Sequence, residues 1–299
     1  MHLRPWTDAD AASVAALLTP DSDPLWAAQG HRLHGPAREG ERWRRTLLAC
    51  EGNRVVGAGT VARNPVHAGR YPCAIEVAAN RRRRGIATAL LTALRELRPE
   101  PLPLAGKLRE SDAAGWPFGR ASGARAYQRC RCPRLDLSSA ALTTWRHGAP
   151  AAAAELTAMN RLSREQATAL FEEQYRWVHE SWSPVSSPTW LRQVCAETVA
   201  EAHLGASSCA WRHGRVAASV FAFREPDGSA SLVAETQRRA EPGGIELLGA
   251  ALARSLTALV ELGFADVELD GHDDDPHLAP LLAGLPIAST SPLLLVELP

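Results

Sequence analysis

The sequence lacks several features that mark whole classes of protein. Among its 299 residues no apolar run reaches the ~20 residues that a membrane-spanning helix needs. The first residues, MHLRPW, lack the basic-then-apolar plan of a signal peptide. Neither the G-x-G-x-x-G dinucleotide fingerprint nor a P-loop is present. We therefore expect a cytoplasmic protein with no membrane partner, and not a nucleotide-binding protein of either of those two classes.

Cysteine and lysine are scarce as well. The six cysteines form no C-x-x-C pair and no metal-ligand spacing, which indicates reduced thiols. Lys107 is the only lysine, so nearly all positive charge is arginine. Residues 1–135 hold 22 Lys and Arg against 12 Asp and Glu, a net charge of +10, whereas residues 136–299 hold 11 against 21, a net charge of −10. A GC-rich genome accounts for arginine in place of lysine but not for this division, which favours an anionic partner for the first half.

Hydrophobic periodicity and turn residues predict alternating short elements in the first half. Predicted strands cover residues 3–6, 46–50, 54–63, 71–79 and 102–108, with a hairpin turn at 51–53. Predicted helices cover residues 7–18, 38–48, 85–97 and 112–122, and residues 21–36 are polar and turn-rich. This mixture of elements predicts an α/β (α+β) domain.

Four consecutive arginines at residues 81–84 stand between a predicted strand and a predicted helix. Free N–H groups and the positive end of the helix dipole make a helix N-terminus an anion site, and Gly85 lets a phosphate approach the backbone. The guanidinium groups add charge-assisted contacts. Four cations at the positive end of a dipole repel each other unless an anion is bound. We therefore interpret the run as a polyphosphate site, and the alternative is a solvated turn.

The segment RRRGIA at residues 82–87 resembles the Arg/Gln-x-x-Gly-x-Gly/Ala loop of the GCN5-related N-acetyltransferases (GNATs), which bind the pyrophosphate of acyl-coenzyme A at this turn. The surrounding sequence is similar as well: LRPWTDADAASVAAL to the opening strand and helix, EGNRVVGAGTV to the hairpin, and LRESDAAGWPFGRASGARAY to the closing strand, helix and turn. The resemblance covers essentially all of residues 1–135. It implies a GNAT domain at residues 1–137, with a mixed, mostly antiparallel sheet flanked by helices.

The resemblance also implies which residues contact acyl-CoA. Backbone groups of Val77 and Ala79 would bind the pantetheine arm as a neighbouring strand does. Ser111 stands near the end of the fifth strand, where relatives often carry an asparagine. Acetyl-CoA or another acyl-CoA would be the co-substrate, no metal is expected, and the first half alone is predicted to bind the coenzyme. The pyrophosphate would lie against a loop made of Arg82, Arg83, Arg84, Gly85, Ile86, Ala87 and Thr88.

Glu76 is the candidate catalytic residue. It lies directly before the coenzyme-contacting residues, where many relatives keep an acid or a polar group, and a carboxylate there could accept a proton from an attacking ammonium. A hydrogen-bonded structural acid is the alternative. The chain departs from the family at Gly119, where relatives often carry a tyrosine that protonates the leaving thiolate. That proton therefore has no assigned donor.

The second half repeats this order of elements. Predicted elements are a helical segment at 156–184, three strands with turns at 213–214 and 227–228, a helix at 245–262, a strand at 265–270, a short helix and a last strand. The order resembles the tandem GNAT acetyltransferases, of which mycothiol synthase is the known type, and implies a GNAT-like domain at residues 138–299. Its turn, QRRAEPGGI at 237–245, lacks the arginine–glycine pattern and carries Glu241. We interpret this copy as degenerate and without bound coenzyme.

Two polar groups in the second half are candidates for function. His179, Glu180 and Trp182 follow the predicted helical segment and are candidate substrate contacts. The alternative for Trp182 is a packed aromatic anchor. The three aspartates at residues 273–275, with His272 and His277, have the spacing of a solvated turn and a helix cap, so we expect no metal there.

Three functions are consistent with these interpretations. The first is transfer of an acetyl or other acyl group from acyl-CoA to a primary amine of a small molecule, such as a natural product. The second is a GNAT-fold enzyme that takes an aminoacyl group from aminoacyl-tRNA, which the net charge of +10 favours. The third is a catalytically silent acyl-CoA-binding protein, which the missing tyrosine favours. No oligomeric state follows from the sequence.

Overall fold

The computed structural model describes residues 1–18, 32–148 and 155–299. The chain divides into two compact units: residues 1–127 with 294–299 form the first, and residues 128–293 form the second. A seven-stranded sheet runs through each unit. None of the helices within the described ranges is long and apolar enough to cross a membrane.

The first sheet is mixed and mostly antiparallel. Its strands are β1 (His2–Pro5), β2 (Arg44–Glu51), β3 (Arg54–Ala62), β4 (Tyr71–Val77), β5 (Leu104–Arg109), β6 (Arg125–Cys130) and β14 (Leu293–Leu298). Their order in the sheet is β1-β2-β3-β4-β5-β14-β6, with antiparallel pairs from β1 to β4 and a parallel pair of β4 with β5. The α-helices with bounds inside the described part of this unit are α1 (Ala11–Ala15), α2 (Ile86–Leu97) and α3 (Gly115–Ala121).

Helix α2 packs against β3 at two glycines. A Cβ at Gly57 would lie 3.1 Å from a methyl carbon of Ile86, and one at Gly59 would lie 3.0 Å from a methyl carbon of Leu94. The apolar residues Ile86, Leu90 and Leu94 recur every four positions and are buried on this face. The close approach of helix and strand fixes the turn that opens α2.

The last strand of the chain lies within the sheet of the first unit. β14 lies between β5 and β6, and its Leu294, Val296 and Leu298 are buried in the core of that unit. The sequence-based prediction assigns this strand to the domain at residues 138–299, because the strand follows the other elements of that domain along the chain. Strand partners are set instead by matching apolar faces and free backbone groups. The functional division at residue 137 stays a prediction, whereas the compact units meet at residues 127 and 128.

A fragment of residues 1–137 is therefore expected not to fold, which revises the prediction that the first half alone binds coenzyme. Without β14 the core loses three buried side chains worth roughly 1.5–3 kcal/mol each, against a total stability of about 5–15 kcal/mol. Circular dichroism and urea unfolding check this. The matched control joins residues 291–299 to the fragment through a Gly/Ser linker and should restore a cooperative transition. Cooperative unfolding of the unlinked fragment would contradict the assignment.

The second unit carries the other sheet. Its strands are β7 (Pro133–Asp136), β8 (Glu155–Ala158), β9 (Ser208–Arg212), β10 (Arg215–Arg224), β11 (Ala230–Thr236), β12 (Asp266–Asp270) and β13 (Ser289–Thr290), in the order β13-β7-β12-β11-β10-β9-β8. Its α-helices are α4 (Ala140–Gly148), α5 (Arg164–His179), α6 (Pro188–Glu201), α7 (Gly244–Glu261) and α8 (Leu278–Ala283). Among the described strand pairs of this sheet, β11 with β12 is parallel and the others are antiparallel.

The two units repeat one arrangement. In the first, the antiparallel pair β3–β4 leads through a left-handed glycine into α2 and then into β5, parallel to β4. In the second, β10–β11 leads through a left-handed glycine into α7 and then into β12, parallel to β11. The predicted fold class is confirmed: two tandem copies, each a mixed, mostly antiparallel sheet flanked by helices.

The helix predicted for residues 38–48 is wrong, and the helical segment predicted for residues 156–184 is wrong at its start. Residues 38–48 form a 3-10 turn at Gly40–Arg42 and then β2, in which alternate residues Arg44, Thr46 and Leu48 are buried. The helical prediction for 156–184 begins with β8, and α5 starts only after Ser163, whose hydroxyl accepts from the N–H of Gln166 at 3.1 Å. The turn-rich prediction for 21–36 falls mostly on residues 19–31, outside the described residues.

Candidate active site

The arginine run forms the turn that opens α2. β4 ends at Val77, a 3-10 turn spans Ala79–Arg81, and Arg83 and Gly85 have φ angles of 63° and 78°. The left-handed conformation strains Arg83 and is easily adopted by Gly85. A Cβ on Gly85 would meet no described atom within 4 Å, so the turn is open on that side.

The start of α2 offers a set of free amide donors. The first intrahelical bond runs from the N–H of Ala89 to the carbonyl of Gly85, at 3.0 Å. N–H groups before this bond have no acceptor inside the helix and add to the positive end of its dipole. This arrangement suits a phosphate group. The donors are the N–H groups of Gly85, Ile86, Ala87 and Thr88.

The four arginines have different surroundings. Arg81 forms an ion pair with Glu51, with Nε 2.9 Å from a carboxylate oxygen. Arg82 donates from Nε to the carbonyl of Val77 at 3.2 Å, which ties the loop to the end of β4. Arg83 and Arg84 are exposed. The guanidinium groups beside the open turn are therefore those of Arg82, Arg83 and Arg84, whereas the guanidinium group of Arg81 is paired with Glu51.

The edge of β4 next to this turn has room for an extended ligand. β4 and β5 are in parallel register only at Tyr71 with Leu104 and at Pro72 with Ala105. The later residues of β4, up to Val77, have register partners on β3 but none on β5. The N–H and C=O groups on the β5 side are left for a ligand that binds as a strand does. Val77 lies at the end of this edge and Ala79 follows it in the turn.

Glu76 is buried close to this edge. Its side chain is 8% exposed, and Oε1 has no hydrogen-bond partner among the described residues. Burial raises the pKa of Glu76 to about 7, with Arg82 opposing the rise and Asp112 adding to it. A carboxyl group with a pKa near neutrality can accept a proton at physiological pH.

Glu76 shares its sheet face with a polar row that the sequence does not reveal. Thr60 lies two residues from Ala58, the partner of Glu76 across the β3–β4 pair, so the two side chains are on one face. Thr60 Oγ1 is 2.9 Å from Thr46 Oγ1 and 2.8 Å from His34 Nδ1. Strand threonines carry no distinctive signal, and His34 follows the turn-rich segment, so only the strand register brings the three together.

The region after β5 contains Ser111, Asp112 and Gly119, none of which is assigned as the acid for the leaving thiolate. Ser111 is exposed on the turn that follows the strand. Asp112 accepts hydrogen bonds from the N–H groups of Ala114 and Gly115 at 2.9 and 2.8 Å, at the start of α3. Gly119 is buried in α3, and a Cβ there would lie 3.1 Å from a methyl carbon of Leu108. A side chain at this position would need Leu108 to shift.

The corresponding turn of the second unit has a different character. Gly243 keeps the left-handed conformation, with a φ of 64°, directly before α7. The buried Glu241 accepts a hydrogen bond from Arg215 at 2.8 Å and so places a carboxylate in the turn. A Cβ on Gly244 would lie 2.4 Å from a ring carbon of His277, so the imidazole fills the space beside the helix start.

The second unit nevertheless keeps a buried acid at the end of its strand. Glu235 stands one residue before the end of β11, as Glu76 does in β4. It is 2% exposed, and burial together with Asp275 holds the pKa of its carboxyl well above the usual range. The sequence alone does not identify Glu235 as a candidate. The resemblance between the two halves is one of element order, which gives no residue-by-residue alignment.

The three predicted substrate residues of the second unit lie at the end of α5. The ring centroid of His179 is 4.4 Å from that of Trp182, and Trp182 is 5.5 Å from His272. Glu180 is exposed at the end of the helix. The structure thus brings His179 and Trp182 to the neighbourhood of His272. Their contact with a substrate stays a prediction.

The three aspartates at 273–275 have structural partners within the described residues. Asp273 accepts from Arg129 at 2.9 Å and from Arg131 at 2.6 Å. Asp275 accepts from the N–H groups of His277 and Leu278 at 2.6 and 2.7 Å, which caps the start of α8. These bonds match a turn followed by a helix cap, as the spacing predicts.

Comparisons with known proteins agree with this geometry. Residues 12–100 match the family described as Acetyltransferase (GNAT) family. No curated protein matches the chain. Among solved structures, the tandem GNAT protein from the clavulanic acid biosynthesis pathway is similar with a TM-score of 0.65 at 21% identity, over 99% of this chain and 97% of that one. A GCN5-related N-acetyltransferase from Sphaerobacter thermophilus has a TM-score of 0.63 at 16% identity, over 99% and 94% of the two chains.

The family match lies within the first unit, and it includes the arginine turn and the strand that leads into it. The chain as a whole has the tandem GNAT fold, as its similarity to the clavulanic acid pathway protein shows. Acyl transfer from acyl-CoA, with acetyl-CoA as co-substrate, is the chemistry of the GNAT family.

Proposed function

We propose that this protein is an N-acyltransferase that moves an acyl group from acyl-CoA to a primary amine of a small molecule, with the first unit as the catalytic unit. One observation carries the proposal. A helix N-terminus with an open, left-handed Gly85 and three flanking arginines lies at the end of the strand that holds the buried Glu76. A phosphate site and a proton acceptor thus lie within a few residues of each other along the chain.

Different residues of the first unit would bind different parts of the coenzyme. Arg82, Arg83 and Arg84, with the N–H groups from Gly85 to Thr88, would hold the pyrophosphate of the coenzyme. The unpaired edge of β4, ending at Val77 and Ala79, would hold the pantetheine arm by backbone hydrogen bonds. Ser111, exposed after β5, is retained as a candidate contact of the coenzyme.

Glu76 supplies the proton chemistry in this proposal. The acceptor arrives as an ammonium, and Glu76 takes one proton so that the nitrogen lone pair can attack the thioester carbonyl carbon. The new C–N bond forms as the C–S bond breaks, and the sulfur leaves as a thiolate. The nitrogen then loses a second proton, and the thiolate gains one to become the thiol of coenzyme A. The residue that would carry this proton is unassigned, because Gly119 has no side chain to do so.

The second unit is proposed to have lost coenzyme binding. A bound pyrophosphate at its turn would meet the buried carboxylate of Glu241, and the His277 ring occupies the space beside Gly244. Like charges within a few ångströms disfavour each other strongly at a site that is shielded from water. His179, Glu180 and Trp182 stay candidates for contact with the acceptor.

An assay of donor use tests the proposal. We expect release of coenzyme A thiol from acetyl-CoA that depends on an added primary amine, followed with a thiol reagent across a panel of small amines. The charge of +10 on residues 1–135 favours aminoacyl-tRNA as the alternative donor. A gel-shift series with total tRNA from about 50 to about 300 mM salt separates the two, because tRNA binding should weaken steeply with salt.

The tRNA alternative would replace the proposal if the protein bound tRNA, transferred its aminoacyl group and released no thiol from acyl-CoA. Coenzyme binding without transfer to any amine in the panel would favour the silent acyl-CoA-binding protein, which the missing tyrosine at Gly119 favours. Parallel assays with the Glu76→Gln variant show whether any thiol release depends on the catalytic unit.

A further inference from the structure

Three potential metal ligands meet in the second unit from distant parts of the sequence. Cys130, at the end of β6, faces His272 across an isolated antiparallel bridge. Asp270 ends β12 two residues before His272, so the two side chains project to the same side. The ligand atoms of Cys130, Asp270 and His272 all lie within 4.8 Å of one another.

Backbone hydrogen bonds hold these segments together. The N–H of Arg131 donates to the carbonyl of Gly271 at 2.8 Å, and the N–H of Asp273 donates to the carbonyl of Arg129 at 3.1 Å. The positions of Cys130 and His272 are therefore set by the pairing of two chain segments. Pre-positioned ligands of this kind are what a metal site needs.

The imidazole of His272 also faces a buried carboxyl group. His272 is 8% exposed, and its Nδ1 has no hydrogen-bond partner among the described residues. The nearest carboxylate atom of Glu235, Oε1, is 3.8 Å away, beyond hydrogen-bond distance. Glu235 is 2% exposed, and its other oxygen also has no described donor. Buried polar atoms without partners are rare in folded proteins.

We propose that Cys130, Asp270 and His272 bind a divalent transition metal, with zinc as the expected ion. A thiolate, an imidazole and a carboxylate are the three side-chain donors that zinc uses. The thiolate and the carboxylate carry two negative charges, which match the charge of the ion. Three protein ligands leave the fourth tetrahedral position to water or to another small ligand.

Glu235 is the positioning residue of this site. A metal-bound imidazole commonly donates its other ring N–H to a carboxylate, which fixes the ring. Glu235 faces Nδ1 of His272 and needs to move by less than 1 Å to reach hydrogen-bond distance. Among the neighbouring acids, Asp273 pairs with Arg129 and Arg131. Asp275 caps the start of α8 and also lies beside Glu235, whose pKa it helps to raise.

Metal binding by the full chain tests the proposal. Protein freed of metal with a chelator and then exposed to zinc should retain one equivalent per chain after dialysis, measured by elemental mass spectrometry. Titration with Co²⁺ should give a thiolate-to-cobalt charge-transfer band. Cys130→Ser should abolish that band and His272→Ala should reduce zinc retention. Glu235→Gln should weaken affinity by about 10–100-fold.

The matched control is Cys132→Ser, a second buried cysteine two residues further on, which should bind zinc and cobalt as the parent does. Cooperative unfolding of each variant shows that it is folded. Cobalt bound by the parent without a thiolate band would overturn the proposal, and this result needs no variant. Zinc retention that is equal in Cys130→Ser and in the parent would overturn it as adventitious surface binding.

Discussion

Glu76→Gln is expected to lower turnover by ~10²–10⁴-fold while the affinity for acetyl-CoA stays nearly unchanged. Glutamine keeps the shape of the side chain and its capacity to accept hydrogen bonds, but it cannot take up the proton of the acceptor ammonium. Steady-state kinetics of thiol release and calorimetric titration with coenzyme A measure the two quantities separately. Near-normal turnover would mean that the amine arrives deprotonated and that the enzyme acts by positioning alone.

The pH profile gives a second readout for Glu76. Its pKa is raised to about 7, and the proton acceptor is the ionised form. The rate for the parent should therefore rise with pH below about 7 and level off above it, and this inflection should be missing in the variant. Because burial disfavours the ionised form, ligand-free Glu76→Gln should also be more stable than the parent above pH 7. An inflection that persists in the variant would assign it to another group.

The second large effect is expected at the turn before α2. Replacing both Arg82 and Arg84 by alanine removes charge-assisted hydrogen bonds to the pyrophosphate, each worth ~1.5–3 kcal/mol. The dissociation constant for coenzyme A should rise by about 10²–10⁴-fold. Calorimetry with coenzyme A measures this directly. An unchanged affinity would contradict the assignment of the turn.

A matched control separates local contacts from net charge. Arg54→Ala with Arg81→Ala also removes two positive charges, and Arg81 is paired with Glu51 rather than turned to the open side. This pair of changes should alter the affinity for coenzyme A by far less than the change at Arg82 and Arg84. The same titrations report stoichiometry, which should be one coenzyme per chain. Two equivalents would contradict the loss of binding in the second unit.

What the sequence predicts well is local along the chain. The turn before α2 is a short contiguous segment in which strand, arginines, Gly85 and helix follow one another, so its position is predictable. The same holds for the cap of α8 at Asp275, which is set by neighbours two and three residues away. The GNAT resemblance rests on segments of this kind.

What the sequence does not reveal depends on contacts between distant residues. Cys130 and His272 have no recognisable metal-ligand spacing, since a strand bridge brings them together over a long stretch of chain. His34 joins Thr46 and Thr60 only through the pairing of β2 with β3. The helix predicted for residues 38–48 is wrong for a related reason: the apolar partner face that makes this segment a strand lies on β3.

The position of β14 has a consequence for how the chain is made. Synthesis proceeds from the N-terminus, and domains generally fold as they leave the ribosome. Here the core of the first unit includes Leu294, Val296 and Leu298, which follow the whole second unit along the chain. The arginine turn and Glu76 are therefore completed only after the whole second unit has been synthesised. A chain that stops within the second unit would leave the first sheet open between β5 and β6, and we expect such a chain to be degraded by proteolysis.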